Sequence, residues 1–285
     1  MALFGKLFEK KVCSVCGGEI GLLGNRKLED GNLCKVCAGK LSPWFADRRE
    51  STVAQIEEQL AYREANKEKV AAFNVTRTLG QNTKVLLDED SGVFMVTSAR
   101  NLEEANPDVL AFTDVTGCEL DIDESEDEIT YRDKEGKEVS YNPPRYKYFY
   151  DFYIIIHVNN PYFDDMRFKI NGSSVEIDPT RGMPVGPRPT RPGAPRPGGA
   201  AAMGRMMNSM ASRKSFNPET DPDYRNYLKM GEEIKEALMN VRQQARDEMA
   251  AAAAPKMAVT CPYCGATTTP DASGCCEYCG GSVNG

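Results

Sequence analysis

Apolar positions along this chain change period several times, and each change predicts an element. Ser51 to Phe73 reads as a helix: Thr52 with Gln55 forms a capping box, and Val53, Ile56 and Leu60 share one face. Its second half, from Arg63 to Glu68, is mainly polar and is expected to be solvated. From Thr83 the period shortens to that of strands. Expected strands are Thr83 to Leu87, Gly92 to Ser98, Val109 to Phe112, Val115 to Asp123, Glu128 to Arg132, Lys137 to Tyr141, Tyr146 to Val158 and Met166 to Asn171. Turn clusters at Asp88 to Gly92 and Asp133 to Gly136 make hairpins of them. So many antiparallel strands in one stretch predict a small barrel or sandwich.

A second helical pattern follows a proline-rich interruption. Asp221 is a good N-cap and Pro222 suits the first helical position. Tyr224, Tyr227, Leu228, Gly231, Ile234, Leu238, Val241 and Ala245 then form an apolar stripe. That stripe needs a partner, and the strand region is the obvious one. Strands closed by a C-terminal helix resemble the pleckstrin-homology-like architecture, by order of elements. Between them, residues 179–220 are rich in Pro, Gly and Arg and are expected to be disordered.

Charge sharpens this division. Residues 80–180 hold 9 Lys+Arg against 22 Asp+Glu, whereas residues 181–220 hold 7 against 1 and residues 1–50 hold 9 against 6. The acidic centre repels nucleic acid, so such a role would have to use the basic linker or the N-terminal segment. The run Asp121, Asp123, Glu124, Glu126, Asp127, Glu128 is expected to be a solvated acidic turn, because the frame of a calcium loop is absent.

Eight of the ten cysteines fall into two sets. Cys13, Cys16, Cys34 and Cys37 form one C-x2-C pair of pairs, and Cys261, Cys264, Cys276 and Cys279 form the other. Two-residue spacing lets two thiolates converge on one ion from a tight turn, and two such turns complete a tetrahedral site. Two structural zinc ions are therefore expected, with iron the lesser alternative. Cys16, Cys264 and Cys279 are each followed by glycine, which tolerates the positive φ such a turn demands. In the first set, a hairpin around Asp30-Gly31 and a short helix after Cys34 give the pattern of a treble clef. In the second, two similar knuckles give that of a zinc ribbon. Neither module is large enough to fold on apolar burial alone, so metal supplies the missing stability. Cys275 is left outside the ribbon set, and Cys118 is expected to be a small buried strand residue.

The segment Cys13-Ser-Val-Cys16-Gly-Gly-Glu-Ile-Gly-Leu-Leu-Gly-Asn-Arg-Lys-Leu, followed by Asp30-Gly-Asn-Leu-Cys34-Lys-Val-Cys37, resembles the N-terminal zinc-binding domain of a bacterial family, domain of unknown function 4428. The resemblance covers about the first 45 residues. It implies a metal-binding fold with those four cysteines as ligands, and it brings no catalytic residues.

The expected fold is thus multidomain α+β. A treble-clef zinc finger spans 1–45 and a connecting helix 46–79. A pleckstrin-homology-like antiparallel barrel or sandwich uses 80–178 with its helix at 221–250, followed by a zinc ribbon at 258–285. With one histidine, His157, on a strand, histidine relays and two-histidine metal boxes are excluded, and no phosphate-binding or nucleophile-elbow motif is present. The expected function is a non-catalytic adaptor or scaffold acting through an unidentified protein partner. Nucleic-acid binding, through Arg26, Lys27, Lys35 and Lys40 or the linker arginines, is the alternative. Residues 1–11 are basic and amphipathic; packing on the finger is the favoured role for Leu3, Phe4, Leu7 and Phe8, and a weak membrane-surface contact is the other. The apolar stretch of Met1 to Val12 is too short and broken for a signal peptide to be expected, so reduced thiols and a cytoplasmic location are expected.

Overall fold

The computed structural model describes residues 11–181, 216–253, 258–270 and 273–283. The expectations for residues 1–10, and for all of the proline-rich segment except its two ends, lie outside the described residues. The chain divides into two compact units, 1–242 and 243–285.

The first unit begins with two small hairpins. β1 (Lys11–Val12) pairs with β2 (Glu19–Ile20), and β3 (Arg26–Lys27) with β4 (Asn32–Leu33). A single turn of helix, α1 (Lys35–Ala38), follows. The metal-binding module has a small core of its own, in which Ile20, Leu28, Leu33 and Leu41 pack with Cys13 and Cys37. Helix α2 (Val53–Ala72) closes that core with Ile56. Its start is the expected capping box: Thr52 Oγ1 accepts from the Gln55 N–H, and Gln55 Oε1 accepts from the Thr52 N–H. Such a cap contributes about 1 kcal/mol.

In the second half of α2, Glu64, Ala65, Lys67 and Glu68 are exposed as expected, but two polar residues are not. Arg63 and Asn66 are buried, at 6% and 1% exposure. Arg63 donates to Asp108 Oδ1 at 2.8 Å, to the Lys40 carbonyl at 3.3 Å and to the Asn106 carbonyl. Asn66 donates to Asn106 Oδ1 and the Pro107 carbonyl, and accepts from the Val109 N–H. Polar side chains are tolerated here because each meets a specific partner. Beyond them Val70 joins Leu86, Met95 and Val109 in a second cluster. One helix therefore packs on the finger at its start and on the strand region at its end.

The strands form two sheets. β5 (Arg77–Gly80), β6 (Lys84–Asp88), β7 (Val93–Thr97) and β8 (Leu110–Ala111) make an antiparallel meander in that order, with α3 (Leu102–Ala105) between β7 and β8. In the second sheet the long β10 (Glu138–Asn160) is central. It pairs with β9 (Val115–Arg132) on one side, and with β11 (Phe163–Lys169) and β12 (Val175–Ile177) on the other. Among the described residues the two sheets do not close into a barrel by strand pairing. On β10 the inward residues Phe152, Ile154 and Ile156 are fully buried, as the two-residue period requires.

The acidic run is also corrected. Asp121 to Glu128 is not a turn but the middle of β9, in register with Tyr153 to Tyr146 of β10. Its charges are accommodated by exposure and by cross-strand partners. Arg167 of β11 reaches both Asp121 and Asp123 at 3.0 Å and lies 3.5 Å over the Tyr153 ring.

Helix α4 (Pro222–Ala253) contains the division between the units, after Arg242. Within the first unit its stripe packs on the strands, as its spacing predicts. Tyr224 meets Phe152 edge-on, and Ile234 and Leu238 are fully buried. At Gly231 an added Cβ would lie 2.5 Å from Leu120 Cδ1, so any larger residue there would force the Leu120 side chain to move. The second unit holds the rest of α4 and a small hairpin, β13 (Val259–Thr260) with β14 (Thr267–Thr268). No helix of the described residues is long and apolar enough to cross a membrane.

Candidate metal centres

Three of the four cysteine pairs are built by one repeated local structure. In the first, the Cys13 N–H donates to the Gly18 carbonyl and the Gly17 N–H to the Cys13 carbonyl, both at 2.9 Å. The same two bonds link Cys261 with Ala266 and Gly265, and Cys276 with Gly281 and Gly280. The turn returns the chain through a left-handed residue, which is Gly17 (φ 70°), Gly265 (φ 73°) or Gly280 (φ 70°). These are the glycines marked by the sequence, for the reason it gives.

The remaining pair, Cys34 and Cys37, sits at the start of α1. Cys34 is the N-cap, its Sγ accepting from the Cys37 N–H at 3.3 Å, while the Cys34 N–H donates to Cys13 Sγ at 3.3 Å. Helix start and knuckle are thereby locked to each other through sulfur.

Each set converges. The sulfurs of Cys13, Cys16, Cys34 and Cys37 all lie within 4.8 Å of one another, and so do those of Cys261, Cys264, Cys276 and Cys279. Cys16 and Cys34 sulfurs are 3.8 Å apart, Cys264 and Cys276 3.8 Å, and Cys261 and Cys279 3.5 Å. Four sulfurs at a zinc–sulfur bond length of about 2.3 Å in a tetrahedron are separated by ~3.8 Å. The donor sets therefore fit a metal ion of the zinc type. None of the ten cysteines is in a disulfide.

The electrostatics suit deprotonated ligands. Burial alone would push the Cys13 thiol up, but N–H groups of Cys16, Cys34 and Val15 outweigh it and bring it down to about 6. Cys276 likewise falls to about 6: N–H donors from Tyr278 and Cys279 overcome its burial. In Cys279 the Gly281 N–H pulls down, yet the neighbouring thiols of Cys261 and Cys264 push it up to about 12. Cys37 is raised, first by burial and then by the other three thiols. Each set thus holds one readily ionised thiol beside one reluctant one. A divalent cation at the centre removes that mutual repulsion and is the natural charge to complete the site.

The two cysteines outside the sets stay outside. Cys118 is buried on β9, its thiol pushed up to about 12 by burial. Cys275 faces Ser282 across an isolated bridge.

His157 belongs to neither set of converging ligands. It lies on the outer face of β10, donating from Nδ1 to Asp165 at 2.5 Å with Glu119 at 3.5 Å. Of the basic finger residues the sequence singled out, Arg26 and Lys27 share a hollow with Arg48 and Arg49, which the sequence did not single out. Their joining depends on β3 lying beside the short turn of helix at Asp47–Arg49, a contact between residues about twenty positions apart. Lys35 and Lys40 do not line that hollow: Lys35 is the first residue of α1, and the Lys40 carbonyl accepts from Arg63.

No curated protein and no solved structure matches the chain. Residues 11–59, from β1 through the first cysteine cluster to the opening turns of α2, match the model of the family described as a domain of unknown function, DUF4428.

Proposed function

We propose that this protein is a non-catalytic, zinc-stabilised adaptor. One observation carries the reading: in both centres four thiols converge, and four protein sulfurs fill a tetrahedral ion, leaving no position for a substrate or an activated water. Closed sites of this kind hold small modules together and present their surfaces. The N-terminal module is read as a treble clef, since a knuckle, a hairpin and a helix bring its two cysteine pairs together, and the C-terminal one as a zinc ribbon. The central sheets with α4 are read as a pleckstrin-homology-like domain, supported by the strand order and by the helix that follows the last strand. Reduced thiols throughout support a cytoplasmic location.

The lone histidine supports the same reading. It is engaged by two carboxylates on an exposed sheet face, an arrangement that needs no chemistry to explain it. Nucleic-acid binding is the competing reading, favoured by the four cations gathered on the finger.

The test is crosslinked affinity purification of the full chain from native cells, beside a Cys261→Ser/Cys264→Ser variant. A discrete protein partner lost in the variant supports the adaptor reading. Nucleic acid recovered alone, with salt-sensitive binding, replaces it with the competing one.

A further inference from the structure

The finger carries a face that its cysteine cluster does not use. Between β2 and β3 the chain reverses at Gly21–Gly24, closed by the Gly24 N–H donating to the Gly21 carbonyl at 2.9 Å. The two residues at the tip are Leu22 and Leu23, 82% and 90% exposed. Two adjacent leucines held in water by a tight turn lose apolar burial that the finger core, a few residues away, could have supplied.

One cation touches that tip and links it to three more. Arg26 donates from Nη1 to the Leu23 carbonyl at 3.4 Å, so its guanidinium sits at the base of the leucine turn. Arg26, Lys27, Arg48 and Arg49 line an open hollow of about 820 Å³, and the one acid in its wall is Glu29. Arg48 is fixed there by donating to the Lys27 carbonyl at 3.2 Å. Burial lowers the Arg48 pKa, and the charges of Arg26 and Arg49 lower it further. Among the described residues no carboxylate forms an ion pair with any of the four. Four cations facing a single acid are a standing preference for an anion. Strand β1 adds to the same end of the module: Lys11 is in register with Ile20, one residue before the turn, and Val12 is 51% exposed.

An apolar tip next to a cationic hollow matches one kind of surface better than others. A phosphodiester backbone would use the cations and leave the leucines in water. An anionic bilayer uses both, taking leucine side chains into the interfacial layer and holding lipid phosphates on arginine and lysine. We propose that this face of the finger docks on an anionic membrane surface, with Leu22 and Leu23 entering the interface and Arg26, Lys27, Arg48 and Arg49 binding lipid headgroups. The inference rests on the adaptor reading only in treating the finger as a closed, non-catalytic module. Its failure leaves protein-partner capture unaffected, so the two can fail separately.

Co-sedimentation of the full chain with vesicles tests it. Phosphatidylcholine vesicles are compared with equimolar phosphatidylcholine and phosphatidylserine, with metal content measured on every variant as a check of folding. The chain is expected to pellet with the anionic vesicles only, and less so as salt rises. Leu22→Ser/Leu23→Ser and Arg48→Gln/Arg49→Gln should each weaken binding roughly tenfold or more with metal content unchanged. Removal of residues 1–10 should leave binding that still depends on Leu22 and Leu23. The proposal is overturned if the chain does not pellet, or if neither double variant changes pelleting. It also fails if removal of residues 1–10 abolishes pelleting. If the arginine variant alone weakens binding, and inorganic phosphate or duplex DNA competes, the hollow is a phosphate or nucleic-acid site and the membrane assignment is wrong.

Discussion

Arg63 and Asp108 form a buried ion pair at 2.8 Å, their side chains 7% and 0% exposed. The pair joins three parts of the first unit. Arg63 belongs to α2 and Asp108 to the segment leading into β8, while Ser42 after the finger donates to Asp108 Oδ2 at 2.9 Å. The Lys40 carbonyl, three residues past the ligand Cys37, accepts from Arg63 Nε. Burial pushes the Asp108 carboxyl above its usual range, with Arg63 and Ser42 pulling back against it. The attachment of finger to strands therefore depends on a few buried polar contacts as well as on apolar packing.

Removing one partner should leave the other charged and unsatisfied. Arg63→Ala or Asp108→Ala is expected to cost about 3–5 kcal/mol in denaturant unfolding. Arg63→Met/Asp108→Leu should recover most of that loss, since an apolar pair of similar volume carries no desolvation penalty. A double variant as unstable as the sum of the singles would show that the two residues act independently.

Gln59, one turn before Arg63, is fully buried, and neither its Nε2 nor its Oε1 has a hydrogen-bond partner among the described residues. Methionine has nearly the same shape and no such requirement. Gln59→Met should stabilise the protein by about 1–2 kcal/mol in the same unfolding assay. Destabilisation would mean that the amide is satisfied by bound water.

The outer face of β10 predicts a pH response. Asp165, through its hydrogen bond and its charge, holds the His157 pKa above the ordinary value; partial burial opposes this and Glu119 assists. A raised folded pKa means that the pair's stabilisation is fully present below the unfolded value of about 6.5. It is lost as pH rises through the raised folded value. Chemical denaturation across neutral pH should show stability declining over that window, and Asp165→Asn should flatten the decline. An unchanged slope in the variant would assign the response to another group.

Much of this was legible because it is local. A capping box and its helix lie within four residues, and a knuckle with its glycine within five, so spacing alone places them. What the sequence misplaced depends on distant partners. Arg63 and Asn66 read as solvated because Asn106 and Asp108 are some forty positions away. The acidic run reads as a turn because β9 is largely exposed there, so no apolar alternation marks it. β10 reads as two strands because Asn142, Pro143 and Pro144 interrupt it, whereas the structure carries one strand through a register shift between Ser140 and Arg145. The short edge strands β5 and β12 gave no signal above their loops.

The metal should hold the finger's fold. Trp44 is the sole tryptophan and packs edge-on to Phe168 of β11, so its emission reports the seating of the segment after the finger. Chelation at neutral pH is expected to shift that emission to the red, and Cys13→Ser/Cys16→Ser should do the same while removing half of the bound metal. Unchanged emission in a metal-depleted chain would show that the finger core holds without its ion.

The central claim is that both centres are closed sites of four thiolates. X-ray absorption on the purified chain, with metal content from the same sample, tests this most directly. The account predicts two zinc ions per chain, each with four sulfur neighbours at about 2.3 Å and no lighter ligand. An oxygen or nitrogen neighbour, or fewer than four sulfurs per ion, would open a coordination position and contradict the non-catalytic reading.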